Sequence, residues 1–211
     1  MTALPSEYHR RLPYGERVSA EPLLGEPFFP FEGDLQVVRL ADPVLPEPPR
    51  RGEDGGQPCP KCADPDRSVI WRDDQWSLKA FEPTGLPLVA LLEPHEPSGL
   101  PMVLHMAPNE HVTLHTMGPE VAGAMGTLIQ RVAVAIGEIP GVARTHFSRW
   151  GDGSEHFHLW FLARPLGMMQ LRGAMIAAWD DMLPKIPADE FTANARQVAA
   201  ALAEDGGEAV S

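Results

Sequence analysis

The segment that most constrains the fold is residues 155–162, which read Glu-His-Phe-His-Leu-Trp-Phe-Leu. Polar or functional side chains alternate with large apolar ones, and this period of two predicts a β-strand with one face in a core. The alternation puts His156, His158 and Trp160 on the same face of the strand. Two histidines in this arrangement either share a metal ion, divide two tasks between them, or are hydrogen-bonded imidazoles with no further role.

Length and charge exclude several classes of protein. The 211 residues are enough for one domain with a core and for additional segments. The net charge of −12 argues against nucleic acid and anionic membranes as partners, since both are bound mainly through Lys and Arg. No apolar run approaches the roughly 20 residues of a membrane span, and the first residues lack the apolar stretch of a signal peptide. We therefore expect a cytoplasmic protein that binds neither nucleic acid nor membrane.

Composition divides the chain into four segments. Residues 1–57 are rich in Pro, Gly and charged residues, which predicts an extended N-terminal arm. Residues 58–165 are expected to form the main domain. Residues 166–204 form a C-terminal extension with helices at about 168–182 and 190–203, and residues 205–211 form a frayed tail.

The main domain alternates short apolar segments with Asp, Gly and Pro. This punctuation predicts a series of strands, at residues 69–72, 76–81, 88–92, 102–106 and 145–149. Apolar residues at helical spacing predict one long helix over residues 119–139, with a Pro in its first turn and a Gly just past its end. A turn at residues 150–154 leads into the alternating strand. Together these elements predict an α+β fold, in which one long helix packs on an antiparallel sheet.

The two cysteines of the chain form a Cys-Pro-Lys-Cys motif at Cys59 and Cys62. In a reducing compartment such a pair is half of a zinc site or a redox pair rather than a structural disulfide. A redox pair of the thioredoxin kind lies where a strand meets a helix, whereas this pair follows the arm and precedes a strand. The position favours zinc, and a closed zinc site would take two further ligands from the eight histidines.

A further histidine, His111, follows the strand predicted at residues 102–106 and precedes the long helix. The order of motifs is then Cys-x-x-Cys, two strands, strand-Pro-x-x-His, helix, strand, turn and His-x-His. This order resembles the histidine-triad (HIT-like) superfamily, which includes nucleotide hydrolases and galactose-1-phosphate uridylyltransferase. The resemblance covers residues 58–165.

The resemblance implies a role for each motif. In zinc-containing members of the superfamily the metal is structural, and its ligands occupy the positions of Cys59, Cys62, His111 and His156. The middle histidine of the final motif is the nucleophile, and it corresponds to His158. The resemblance therefore implies hydrolysis or transfer at a nucleoside phosphate ester or anhydride through a covalent nucleotidyl-histidine. It also implies a small-molecule nucleotide as ligand and a homodimer as assembly.

Four residues are candidates for substrate binding. Ser154 lies where family members often carry a phosphate-contacting polar residue, although a plain turn serine would also be found there. Arg149 and Asn109 are further candidate donors to phosphate oxygens. Trp160 departs from the family pattern, because hydrolases have a third histidine and transferases a glutamine at this position. An indole offers one donor and no acceptor. Glu155 is a candidate partner that orients His156.

Three functional hypotheses follow. The first is an active nucleotidyl hydrolase or transferase that uses His158 as nucleophile. The second is a zinc-stabilised relative that binds a nucleotide or another ligand without turnover. The third is a different metal enzyme, with a cupin-like sheet, in which His156 and His158 both bind a catalytic metal. The third hypothesis needs further ligands after the pair, and no histidine follows His158.

Overall fold

The computed structural model describes residues 41–80 and 98–210, together with residues 15, 16 and 31. The chain divides into two compact units, Met1–Pro48 and Pro49–Ser211, and the description below concerns the second unit. The strand predicted at residues 88–92 lies outside the described residues. The segment boundaries expected at 57/58, 165/166 and 204/205 stay predictions.

The second unit is built on a six-stranded antiparallel sheet, in the spatial order β4-β5-β3-β2-β1-β6. The strands are β1 (Val69–Arg72), β2 (Trp76–Ala80), β3 (Val103–Pro108), β4 (Val142–Ser148), β5 (Leu159–Pro165) and β6 (Glu208–Ala209). β1 and β2 form a hairpin, β2 also pairs with β3, and β5 lies between β4 and β3. This order brings the segment before β5 next to the end of β3.

The helices follow the sequence pattern where that pattern is long. They are α1 (Pro60–Ala63), α2 (Pro119–Gly137), α3 (Ile176–Met182) and α4 (Ala188–Glu204), and a 3-10 turn at Gly173–Met175 leads into α3. Helix α2 begins with Pro119 in its first turn, where the missing N–H costs no hydrogen bond. The predicted α+β architecture with one long packed helix is confirmed. None of the helices in the described ranges combines the length and the apolar character needed to cross a membrane.

The core lies between the sheet and helices α2 and α4. Phe157, Leu159 and Phe161 are all buried in it, so the predicted apolar face of residues 155–162 is confirmed. A second apolar cluster lies beneath α3, and Trp160 packs against it. Its buried members are Leu100, Val103, Leu162, Leu171, Ile176 and Ala177.

The strand expected over residues 155–162 begins only at Leu159, so the prediction was wrong for its first half. The preceding segment is extended, but its backbone is paired with loops rather than with a strand. The N–H of Phe157 donates to the Val112 carbonyl at 2.8 Å. His156 and His158 are therefore loop residues, and they are 2% and 7% exposed rather than solvated.

The C-terminal extension also differs from its prediction. Residues 168–182 do not form one helix, because Gly167 and Gly173 take positive φ angles of 78° and 64° and break it. The helix starts at Ile176. The tail that we expected to fray contains β6, whose Glu208 carboxylate accepts from Arg72 Nε at 2.5 Å.

Candidate metal centre and histidine site

Four side chains from distant parts of the chain converge on one point. They are Cys59 just before α1, Cys62 within α1, His111 after β3 and His156 before β5, and their ligand atoms all lie within 4.8 Å of one another. These are the four residues that the resemblance implied as metal ligands. Among the described residues they form the one group of this kind.

The distances in this cluster fit a tetrahedral metal site. Cys62 Sγ lies 3.2 Å from His111 Nδ1 and 3.6 Å from His156 Nδ1, and Cys59 Sγ lies 3.5 Å from His156 Nδ1. A tetrahedron with Zn–S and Zn–N bonds of about 2.3 and 2.0 Å has sulfur-to-nitrogen edges of about 3.5 Å. The donor set, two thiols and two imidazoles, is one that zinc takes in closed structural sites.

The outer nitrogen of each histidine ligand has a fixed acceptor. His156 Nε2 donates to the Pro108 carbonyl at 2.9 Å, and His111 Nε2 donates to Glu155 Oε2 at 3.2 Å. Each donation places the lone pair on Nδ1, facing the cluster, as a metal ligand requires. Glu155 therefore orients His111, whereas we had expected it to orient His156.

The protonation of the cluster separates zinc from the redox alternative. Burial lowers the pKa of His156 to about 4, which keeps the imidazole neutral and able to bind metal. Burial and the neighbouring Cys59 raise the pKa of Cys62 to about 11. Reactive redox cysteines have lowered pKa values instead. The raised pKa therefore argues against a reactive redox pair, and a metal held by the four converging ligand atoms would displace the thiol proton.

The backbone at residues 50–52, called the strap below, borders this cluster. Gly52 has a φ of +95°, and a Cβ at this position would lie 2.7 Å from His111 Cε1. Both the backbone angle and the contact require glycine. We expected this segment to belong to the N-terminal arm and did not predict its role at the cluster. The sequence indicates that role only through a Gly between Arg51 and Glu53, and a single glycine is too common to predict such a contact.

His158 lies beside the cluster but outside it. Its Nδ1 is 2.8 Å from the His156 carbonyl, and its Nε2 is 2.8 Å from the Trp150 carbonyl. Both nitrogens thus face carbonyl oxygens, so the structure gives no support to a metal shared by the two histidines. Burial lowers the pKa of His158, and the two carbonyls oppose this effect. A neutral imidazole carries a single N–H, so it satisfies only one of the two carbonyls.

The Trp150 carbonyl belongs to the turn at residues 150–154, which the strap holds in place. Arg50 Nη1 donates to the Gly151 carbonyl at 2.9 Å, and the Arg51 N–H donates to the Gly153 carbonyl at 3.3 Å. Ser154 Oγ donates to the Arg51 carbonyl at 3.4 Å. In this conformation the turn covers Nε2 of His158, and the hydroxyl of Ser154 is directed to the strap.

The other predicted binding residues each have a contact within the second unit. The guanidinium of Arg149 lies 5.6 Å above the ring of Phe157. Asn109 donates through Nδ2 to the Asp73 carbonyl at 2.9 Å and so ties the end of β3 to the β1–β2 turn. The ring of Trp160 lies 6.4 Å from that of His158, edge to face.

A histidine that we interpreted only as a strand residue belongs to this site. The ring of His105 stacks on His158 at 4.7 Å and meets Trp160 edge to face at 5.0 Å. Burial, followed by the nearby His158 and Lys79, lowers the pKa of His105 well below its usual value. Sequence alone gives no sign of this contact, because it depends on β3 pairing with β5.

Comparison with known proteins found no matching family model and no matching curated protein. Among solved structures, the chain is similar to a zinc-bound histidine triad family protein from Mycobacterium smegmatis, with 20% identity, a TM-score of 0.44, and 68% of this chain and 88% of that chain covered. A hypothetical histidine triad nucleotide-binding protein from Sulfolobus tokodaii matches with 9% identity, a TM-score of 0.45, and coverage of 68% and 90%. A uridylyltransferase matches with 15% identity, a TM-score of 0.43, and coverage of 66% and 42%. Two of these structures are described as histidine triad proteins, the family that the sequence motifs resemble.

Proposed function

We propose that this protein is a HIT-like nucleotidyl hydrolase or transferase that acts on a nucleoside phosphate ester or anhydride. The observation that carries the proposal is the hydrogen bond between His158 Nδ1 and the His156 carbonyl, 2.8 Å long. When Nδ1 carries the proton and donates it to this carbonyl, the lone pair lies on Nε2. A lone pair on Nε2 is what a nucleophilic histidine needs.

The proposed reaction has two steps. Nε2 of His158 attacks the phosphorus atom next to the nucleoside, a nitrogen–phosphorus bond forms, and the bond from phosphorus to the leaving oxygen breaks with its electron pair on that oxygen. Water or a second phosphate then attacks the same phosphorus, and the electron pair of the nitrogen–phosphorus bond returns to Nε2. The proton stays on Nδ1 throughout, and its hydrogen bond to the His156 carbonyl stabilises the positive charge on the ring.

The metal cluster supports this reaction only through position. A zinc ion held by Cys59, Cys62, His111 and His156 would cross-link α1, the loop after β3 and the segment before β5. His158 follows His156 by two residues, and its Nδ1 donates to the backbone carbonyl of that ligand. The ligand set therefore fixes the orientation of the nucleophile.

The proposal requires the 150–154 turn to move. The Trp150 carbonyl lies 2.8 Å from Nε2, where the phosphorus atom would have to approach. When the turn opens, we propose that Arg149 and Ser154 donate to phosphate oxygens and that the indole N–H of Trp160 donates to the leaving group. Asn109 is a weaker candidate, because its amide is engaged with the Asp73 carbonyl.

A second candidate function rests on the same contact. If the turn stays closed, His158 is held between two carbonyls and does not react. The protein would then be a zinc-stabilised nucleotide-binding or ligand-binding relative without turnover. Both candidates bind zinc and can bind a nucleotide. They differ in whether Nε2 of His158 attacks that nucleotide.

An adduct experiment decides between the two candidates. The zinc-loaded chain is incubated with dinucleotide polyphosphates and nucleotide sugars that carry ³²P on the phosphate next to the nucleoside, then denatured in base and mapped by mass spectrometry. We expect label on His158 and none in His158→Asn. Nucleotide binding without label on any residue would support the second candidate and refute the first.

We also propose that the protein is a cytoplasmic homodimer. Phe147 on β4 is 53% exposed, and Val134 on α2 is 50% exposed. The two elements are neighbours, since Thr145 Oγ1 of β4 donates to the Ala133 carbonyl of α2 at 3.2 Å. Exposed apolar side chains on adjacent elements support self-association through this side of the unit.

A further inference from the structure

The chain contains three lysines, and two of them lie together on the face of the sheet that carries His105. Lys79 of β2 is 4% exposed, and its Nζ donates to the Asp64 carbonyl at 3.2 Å. Lys61 of α1 is half-buried, and its Nζ donates to the hydroxyl of Ser77. Ser77 is 2% exposed and lies two residues before Lys79 on the same strand face. The two ammonium groups are therefore placed near the same patch of sheet.

These buried cations have no anionic partner among the described residues. No carboxylate of these residues lies within 4.0 Å of either ammonium group. Of the two nearby acids, Asp66 is paired with Arg72 at 2.9 Å, and Asp64 contacts Lys79 through its backbone carbonyl. An ammonium has three donors, and Lys79 uses one of them. A zinc ion with two thiolates and two neutral imidazoles has no net charge, so the metal centre would not compensate the lysines either. Burying unpaired cations is costly, and desolvation lowers the pKa of Lys79 accordingly.

The lysine pair is connected to the reactive histidine through one residue. Lys79 is the direct cross-strand neighbour of His105, and the His105 ring stacks on His158 at 4.7 Å. Side chains of direct cross-strand neighbours are about 5 Å apart. Lys79 is thus about 10 Å from His158. A substrate that reacts with His158 reaches the lysine only if it extends over about this distance.

We propose that Lys61, Ser77 and Lys79 form an anion subsite that binds a second phosphate of the substrate, away from the phosphorus that His158 attacks. The inference rests on the proposed function for the position of the substrate. It narrows the substrate class to nucleoside diphosphates and polyphosphates, including their esters. A nucleoside monophosphate ester with a neutral leaving group would leave the lysines without a counter-charge.

Lysine-specific NMR tests the subsite directly. The full-length, zinc-loaded His158→Asn chain, which cannot form the adduct, is labelled with ¹³C at lysine Cε, so that three signals are observed. Inorganic pyrophosphate is titrated at constant ionic strength. We expect saturable shifts for Lys61 and Lys79 and no saturable shift for Lys185. Equal small shifts for all three lysines, or none, would overturn the proposal.

Matched substitutions measure the contribution of the subsite. Lys79→Met should weaken pyrophosphate binding about tenfold or more, as expected for a lost charge-assisted hydrogen bond, and Lys79→Arg should retain most of it. Lys185→Met is the control and should bind as the parent does. Unchanged affinity in Lys79→Met would refute the subsite, and the NMR titration decides the question if this variant does not fold.

The outcome is separable from that of the proposed function. Lysine shifts without any adduct on His158 in the otherwise unsubstituted chain would leave an anion site in a protein without turnover. An adduct on His158 together with silent lysines would retain the proposed function and reject the subsite.

Discussion

The Trp150 carbonyl oxygen lies 2.8 Å from Nε2 of His158, on the nitrogen that a nucleophilic histidine must present. The contact is made by backbone, so no side-chain rotation removes it. Only movement of the 150–154 turn exposes Nε2, and the strap at residues 50–52 holds that turn through Arg50 and Arg51. Gly52 of the strap leaves no room for a Cβ beside His111, so the four-residue cluster and the cover of His158 share one segment.

Arg50→Ala should loosen the turn. It removes the 2.9 Å hydrogen bond to the Gly151 carbonyl, and the salt bridge to Glu53 that positions the guanidinium is lost with it. We expect faster amide hydrogen exchange at residues 150–154 and a rate of adduct formation on His158 up to about tenfold higher. Arg196→Ala, at an exposed position of α4, is the control. Unchanged exchange would mean that the strap does not hold the turn.

Metal analysis should give one zinc per chain. Because the pKa of Cys62 is raised to about 11, its thiol is protonated at pH 7 and loses its proton when zinc binds. Calorimetry in buffers of different ionisation enthalpy should show one proton fewer released by Cys62→Ser, together with a large loss of affinity.

Two histidine variants complete the metal test. His158→Ala should keep the metal, since His158 is outside the cluster, and loss of zinc in this variant would revive the hypothesis of a shared catalytic metal. His115→Gln, at an exposed loop position, should behave as the parent. A folded parent protein that takes up no zinc would contradict the ligand assignment.

Trp160→Gln should separate stability from reactivity. The indole packs against the cluster beneath α3, so its removal should lower the free energy of unfolding by about 3 kcal/mol. The amide that replaces it both donates and accepts, so we expect faster adduct turnover in single-turnover kinetics. Trp160→Phe retains the bulk without the donor and should be slower than the parent. Equal rates in all three proteins would show that this position does not contact the reacting groups.

His105 should make the stability of the protein depend on pH. Its pKa in the folded state is well below the usual value of about 6.5, so the unfolded chain binds a proton that the folded chain excludes. The contribution of His105 to stability is therefore complete above about pH 6.5 and is lost as the pH falls below it, with a slope that approaches 1.4 kcal/mol per pH unit from this one group. Urea denaturation of the zinc-loaded protein between pH 5.5 and 7.5 measures the slope. His105→Gln should reduce it, and an identical slope in this variant would rule out His105 as its source.

The four residues of the cluster could be named from the sequence because each lies in a short motif, and the order of these motifs resembles that of the histidine-triad superfamily. The Cys-x-x-Cys spacing singles out Cys59 and Cys62, and the positions of His111 and His156 relative to the predicted strands single out the two histidines. The apolar face of residues 155–162 could also be predicted, since the burial of Phe157 and Phe161 follows from the period of two.

The contact of the Trp150 carbonyl with Nε2 of His158 could not be predicted in the same way. The contact between Trp150 and His158 is made by a main-chain atom, and every residue has the same carbonyl. The strap consists of Arg and Gly residues in a segment whose composition indicates an extended arm. Lys79 and His105 read as ordinary strand residues, and only the register of β2 against β3 makes them neighbours. Such relationships depend on tertiary pairing, which local patterns do not encode.

The two edge strands of the described sheet, β6 and β4, differ in length and in charge. Strand β6 pairs with β1 through Trp71 and Arg72, and the ion pair between Arg72 and Glu208 puts charge on that rim. A short, charged rim is a poor template for another strand. At the opposite rim of the described sheet, β4 is seven residues long and exposes Phe147. Removing the last few residues would uncover β1, so that both edges of the described sheet would be exposed and truncated chains could associate through either one.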